Sequence, residues 1–249
     1  MLRYITAFIV VFLFNAFQSA FAYEFAPIVA ELAPKGPGSV KTFVARNTNP
    51  EAVALQIEVF HRTADENGEE VREAEYEDFI VSPPQMVLAP GQSQAVRVRW
   101  IGTPDIDAEQ SYRIIVKQLP INYKKLNEDE TSVTLSVGYE YQAAVYVVPP
   151  KAKPSAVIKD AVEAEGPNGE KLLRLTIQST GTTRAILEDP RVSISAANGK
   201  TITLQDEQVE PLRMKNIITG SQSVIDLPWP TELASGPLKA ELNTTYFSN

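Results

Sequence analysis

Apolar and polar residues alternate along much of this chain, most regularly from Thr131 to Pro150. The apolar positions there are Val133, Leu135, Val137, Tyr139, Tyr141, Ala143, Val145 and Val147. A period of two residues is that of a β-strand with one face kept away from water. The pattern predicts a long strand, amphipathic in its first half and apolar on both faces in its second half. Since exposed apolar edge strands aggregate, this strand must be covered or must pair with another chain.

Shorter alternating segments precede this strand, and turn signals separate them. The predicted strands lie within residues 40–45, 53–60, 79–100 and 112–119, with three short strands in the third range. Asn67-Gly68 predicts a hairpin turn, and Pro90-Gly91 predicts a type II turn. About seven strands without a helical period are typical of an immunoglobulin-like sandwich.

The second half repeats this style after a proline-rich linker, residues 149–154. Strand candidates there are residues 157–163, 172–178, 191–195, 201–204, 222–227 and 238–246. We therefore expect an all-β protein of two immunoglobulin-like β-sandwich domains, residues 23–150 and residues 151–249.

The first 22 residues are typical of a secretory signal peptide. Arg3 precedes an apolar run, and the segment ends in Ala20-Phe21-Ala22. An uncleaved anchor is the alternative, but the run is short for a span and Asn15 interrupts it. We expect an exported protein whose mature chain begins at Tyr23 and has no later membrane span.

The composition of the chain limits the classes of partner that it could bind. The chain has 31 acidic against 23 basic residues, a net charge of −8, and no cysteine. This balance argues against binding nucleic acid or an anionic membrane, and the exported domains must rely on packed cores rather than on disulfides.

The sequence shows no set of residues for catalysis. His61 is the single histidine, and no nucleophile or orienting carboxylate accompanies it locally, so a solvated residue at a strand end is the better interpretation. The acidic segment 66–78 lacks the ligand spacing of a calcium loop and indicates a solvated hairpin. We expect no enzyme activity, no cofactor and no metal.

Binding is the remaining class of function. Four basic residues lie in strands that would flank a groove between the two domains: Arg97, Arg99, Arg113 and Lys117. Arg113 and Lys117 are four residues apart and so share one face of their strand. These side chains could simply pair with the surplus carboxylates, or one or two could bind a partner's terminal carboxylate.

Several segments together resemble the periplasmic chaperones of the chaperone–usher pilus pathway. They are, after the signal peptide, FIVSPPQMVLAPGQSQAVRVRW, YRIIVKQLP and the alternating strand that runs into Pro149-Pro150. The resemblance implies two immunoglobulin-like domains in a boomerang arrangement. It also implies donor-strand complementation, in which the last strand of the first domain lends apolar side chains to an incomplete pilus subunit.

The resemblance assigns Val133, Leu135, Val137 and Tyr139 to the donor positions. It also implies an arginine and a lysine that anchor the subunit's carboxylate, but Glu31 and Ala144 stand at those two positions, and neither binds an anion. The chain is in this respect similar to the archaic or alternative branches. Any anchor would then come from Arg97, Arg99, Arg113 or Lys117.

The function implied is that of a periplasmic chaperone which binds pilus subunits and delivers them to an outer-membrane usher. A free chaperone of this kind could cover its own strand by self-association. The alternative is an exported structural pilus subunit or adhesin. A subunit would normally be one incomplete sandwich with a donor extension at its mature N-terminus, whereas here the donor-like strand is internal.

Overall fold

The computed structural model describes residues 23–120 and 138–247. The strands of the first half are β1 (Tyr23–Ala26), β2 (Val29–Leu32), β3 (Val40–Asn47), β4 (Val53–Ala64), β5 (Glu70–Glu75), β6 (Phe79–Ser82), β7 (Gln85–Leu88), β8 (Ser93–Trp100), β9 (Gln110–Leu119) and β10 (Glu140–Val147). One sheet has the order β1-β3-β8-β6. The other has the order β2-β10-β9-β4-β5, and β7 also pairs with β4.

These two sheets enclose one hydrophobic core, because alternate residues of each strand point inward. The inward residues of the two long inner strands are Val96, Val98 and Trp100 on β8, and Tyr112, Ile114 and Val116 on β9. The chain crosses from one sheet to the other between β1 and β2, and β2 lies parallel to β10.

The second half contains β11 (Ala156–Glu165), β12 (Lys171–Ser179), β13 (Ala185–Ile186), β14 (Arg191–Ala196), β15 (Thr201–Leu204), β16 (Asn216–Ile217), β17 (Gln222–Pro228) and β18 (Leu238–Asn243). They form sheets of order β11-β12-β17, β13-β16 and β15-β14-β18. A second core, separate from the first, includes Leu173, Leu175, Ile194 and Leu227. The expected fold class, all-β with immunoglobulin-like domains, is confirmed.

The predicted turns lie where glycine is required. Gly68 (φ 83°) and Gly91 (φ 73°) both adopt the left-handed conformation that other residues avoid. Gly68 also sits against the second domain, where an added Cβ would lie 2.8 Å from the Cα of Ser223.

Three elements of the second half were not predicted. β13 and β16 are two residues each, too short to show a period, and the 3-10 segment Asp206–Leu212 buries only Val209 and Leu212. The predicted signal peptide and residues 131–137 of the predicted long strand lie outside the described residues. Within the described ranges, no helix is long and apolar enough to cross a membrane.

Replacing Phe43 by alanine should lower the free energy of unfolding by about 3–5 kcal/mol, because it leaves a cavity at a fully buried position. Val44→Ala, one residue further and 44% exposed, is the matched control and should change it by less than about 0.5 kcal/mol. Urea unfolding followed by circular dichroism measures both. Equal losses would contradict the assignment of the inward face of β3.

Candidate functional site

Strand β10 is fully paired on one side and half paired on the other. β9 pairs with its whole length. On the other side, β2 pairs with residues 144–147, and no described strand pairs with residues 140–143. The Ala144 amide donates to the Ile28 carbonyl (2.8 Å), so by alternation the peptide groups of Glu140 and Gln142 point to the same, open side. The described part of β10 thus offers hydrogen-bonding groups to a further strand.

Only one of the four predicted donor side chains lies in the described residues. Tyr139 precedes β10 and is 40% exposed, whereas Val133, Leu135 and Val137 lie outside the described ranges. Behind Tyr139, the fully buried Tyr23 has its hydroxyl within hydrogen-bond distance of the carbonyls of Tyr139 and Val116. Burial raises the pKa of Tyr23, so its hydroxyl stays protonated and holds the start of β10.

Three arginines from three strands surround one carboxylate on the outer face of the second sheet. The Nε atoms of Arg62 (β4) and Arg72 (β5) each lie 2.6 Å from an oxygen of Glu70. Arg113 (β9) donates to both oxygens, from Nε at 3.0 Å and from its terminal nitrogen at 2.7 Å. We call these four residues the Glu70 cluster.

The Glu70 cluster is strongly polarised. Burial disfavours the charged carboxylate, but hydrogen bonds from Arg113 and Arg72 and the charge of Arg62 outweigh it and lower the pKa of Glu70 to about 2. Glu70 is therefore ionised at neutral pH, and three positive charges face one negative charge. The cluster borders a cavity of about 130 Å³ that Lys215 and Asn216 of the second domain also line.

The four predicted carboxylate-binding residues are divided between the two outer faces of the first sandwich. Arg97 and Arg99 alternate with buried residues of β8, so they point out from the four-stranded sheet. Arg113 and Lys117 point out from the other sheet, where Lys117 pairs with Glu58 at 2.8 Å. A single carboxylate can therefore reach one pair but not both.

Glu31 and Ala144 lie on the same outer face of the second sheet, two residues apart along the β2–β10 ladder. Their partners in the β2–β10 ladder are Tyr146 and Val29. Ala144 is in turn paired with Arg113 on its other side. The position where the resemblance expects a lysine is thus the direct neighbour of an arginine.

Glu31 is held by a buried arginine of the second domain. Arg184 is 7% exposed and contacts Glu31 on one side and, at 2.6 Å, the buried carboxylate of Glu109 on the other. Its guanidinium carbon lies 3.8 Å from the centre of the Tyr146 ring. Thr183 also donates to Glu109. The two domains therefore meet at an ionic contact of one arginine with two carboxylates, and the Tyr146 ring covers the arginine.

Together these features define a two-domain, immunoglobulin-like protein with a half-open strand at the domain junction. Residues 35–153, just under half of the chain, match the family "Pili and flagellar-assembly chaperone, PapD N-terminal domain". The predicted resemblance to the fimbrial chaperones of the chaperone–usher pathway is confirmed. No curated protein sequence matches the chain.

Solved structures share the fold at low sequence identity. The class 5 fimbriae chaperone CfaA has a TM-score of 0.53 and 14% identity, over 90% of this chain and 100% of its own. A chaperone–tip adhesin complex of CFA/I fimbriae gives 0.53 and 13%, over 89% and 98%. The archaic CsuC–CsuE chaperone–tip subunit complex of Acinetobacter baumannii gives 0.51 and 15%, over 82% and 89%.

The family and the fold neighbours are non-enzymatic pilus chaperones, so the expectation that this chain is not an enzyme is confirmed. His61 packs against the Tyr112 ring, 5.3 Å between ring centres.

Sequence reasoning missed Arg62, Arg72 and Glu70, as well as Arg184 and Glu109. The sequence pattern indicates only that Glu70 is one of many carboxylates in a solvated hairpin. Only the pairing of β4 with β5 and β9 brings it to the three arginines, and no local signal marks it. Arg184 and Glu109 are 75 residues apart, so nothing in the sequence links them.

Arg184→Ala should lower the free energy of unfolding by about 3–5 kcal/mol, because it leaves the buried Glu109 without its cation. The control is Arg191→Ala, which removes an arginine from an exposed pair with Asp189 and should cost less than about 1 kcal/mol. Chemical denaturation measures both. A loss at Arg184 no larger than at Arg191 would contradict an energetically important junction.

Proposed function

We propose that this protein is a periplasmic chaperone that binds and stabilises pilus subunits by donor-strand complementation and delivers them to an outer-membrane usher. The observation that carries the proposal is the half-open edge of β10 at residues 140–143. The chain leading into this edge carries the alternating apolar residues Val133, Leu135, Val137 and Tyr139. A subunit strand that paired with β10 here would form backbone hydrogen bonds with it. The donor side chains of this protein would then fill the subunit's apolar groove.

The energetics favour such an exchange. A subunit that lacks one strand exposes an apolar groove, and each large donor side chain buried in it contributes about 1.5–3 kcal/mol. The backbone ladder sets register and direction. Four donor side chains of this size can offset the aggregation tendency of an open groove without any nucleotide or cofactor.

The subunit's terminal carboxylate needs a cation, and Arg113 is the best placed of the four candidates. It is the ladder neighbour of Ala144 on β10, and it lies in a cluster with net positive charge. Arg97 and Arg99 face away from β10, and Lys117 lies opposite Glu140, four residues from Ala144 along β10. We therefore assign the anchor to Arg113.

Co-purification from the periplasm tests this function. The tagged mature chain is expressed together with the small secreted β-proteins that its own operon encodes. We expect a one-to-one complex with a subunit that is degraded when it is expressed alone. Recovery of the tagged chain as a homopolymer would instead favour a structural pilus subunit.

Leu135→Glu combined with Val137→Glu should abolish that complex, because two charges would enter an apolar groove. Thr134→Glu combined with Ser136→Glu adds the same charges on the opposite face of the predicted strand and should leave the complex intact. Circular dichroism confirms folding of each variant. A well-folded Leu135/Val137 variant that still binds its subunit would refute the donor assignment.

Arg113→Ala should weaken subunit binding by about tenfold, the loss of one charge-assisted contact. Arg97→Ala removes an equal charge from the opposite face and should change the affinity by less than about twofold. Isothermal titration measures both. A loss at Arg97 alone would move the anchor to the four-stranded sheet.

A further inference from the structure

We propose that Glu70 is a built-in competitor for the subunit's carboxylate. In the free chain it occupies the site formed by Arg62, Arg72 and Arg113, and the incoming carboxylate displaces it from Arg113. This inference rests on the proposed function, and it names how the anchor is regulated.

The geometry of the Glu70 cluster is that of a carboxylate-binding site. Arg113 donates to both oxygens of Glu70 in a fork, at 2.7 and 3.0 Å. Such two-pronged pairing is what guanidinium groups offer to any carboxylate. The same donors would therefore fit the terminal carboxylate of a bound strand.

The Glu70 cluster also has an excess of positive charge. Its three arginines face a single carboxylate. Of the acids on adjoining strands, Glu58 pairs with Lys117 and Glu31 pairs with Arg184. The site can therefore hold a second anion during the exchange, so the exchange does not need to pass through an empty site.

The competitor is also the more movable partner. Glu70 begins β5, which lies at the edge of its sheet and has four of its six residues exposed. Arg113 and Arg62 belong to β9 and β4, which pair with each other inside the sheet. Edge strands with little buried surface rearrange at lower cost than inner strands. The carboxylate can leave while Arg62 and Arg113 stay.

Competition of this kind has a defined cost in affinity. If Glu70 occupies Arg113 for about nine-tenths of the time, the apparent affinity of the site falls about tenfold. Subunits lacking a correctly placed carboxylate would gain nothing from the cluster. The device would thus make binding selective for subunits whose chain end is in register.

The test uses Glu70→Gln in the full mature chain. Glu73→Gln is the control, because it removes the same charge from the same strand outside the cluster. A third variant combines Glu70→Gln with Arg113→Ala. Each is titrated with sodium acetate, a carboxylate without a peptide, and the Nε–H resonances of the arginines are followed by NMR.

We expect Glu70→Gln to bind acetate about tenfold tighter than the native chain and Glu73→Gln. The gain should be lost in the double variant, and the same order should hold for the co-purified subunit. Equal acetate affinity in the native chain and both single variants overturns the inference. If acetate follows the expected order but no subunit binds, the proposed function fails while the anion site stands.

Should Glu70→Gln fail to fold, Glu70→Asp shortens the competitor without removing its charge. Glu70→Asp should weaken the ion pair with Arg113. The acetate affinity should therefore lie between that of the native chain and that expected for Glu70→Gln. An Arg113 resonance that does not respond to acetate in this folded variant counts against the proposal.

Discussion

The ionic contact of Arg184 with Glu31 and Glu109 is the constraint on which the arrangement of this molecule depends. All three groups leave bulk water at least in part, and desolvation opposes their pairing. The contact persists because Thr183 donates a hydrogen bond to Glu109 and the face of the Tyr146 ring covers the Arg184 guanidinium. Such a contact tolerates little misalignment, so it fixes the second domain against β2 and β10 rather than merely adding stability.

Glu31 is occupied by this ionic contact. The resemblance expects a cation there to receive a subunit's chain end, but the acid receives Arg184 of the same chain instead. Two strands from β2, Arg113 of β9 lies beside Ala144 of β10, the other position where the resemblance implies a cation. In the second sheet, a positive charge therefore lies on β9 beside β10, and not on β2.

The sequence alone predicted most of the strands, because alternation is a local property that survives folding. It also predicted the turns at Gly68 and Pro90-Gly91, where the backbone demands glycine. It could not predict which strands become neighbours. The division of Arg97 and Arg113 between opposite faces, and the approach of Glu70 to Arg113 from 43 residues away, are consequences of cross-strand pairing. Two-residue strands such as β13 were missed because they are too short to show a period.

The short parallel strand β2 limits the length of any strand that could pair with the open side of β10. It covers β10 from Ala144 onward, with the Ile28 carbonyl taking the Ala144 amide. A strand that paired along the open side of β10 would therefore have to end at Ala144. Because strand residues advance about 3.3 Å each, a guest one residue too long would be shifted by one position. That shift would turn its apolar side chains to the wrong face, so under the proposed function β2 would select subunits by the position of their last residue.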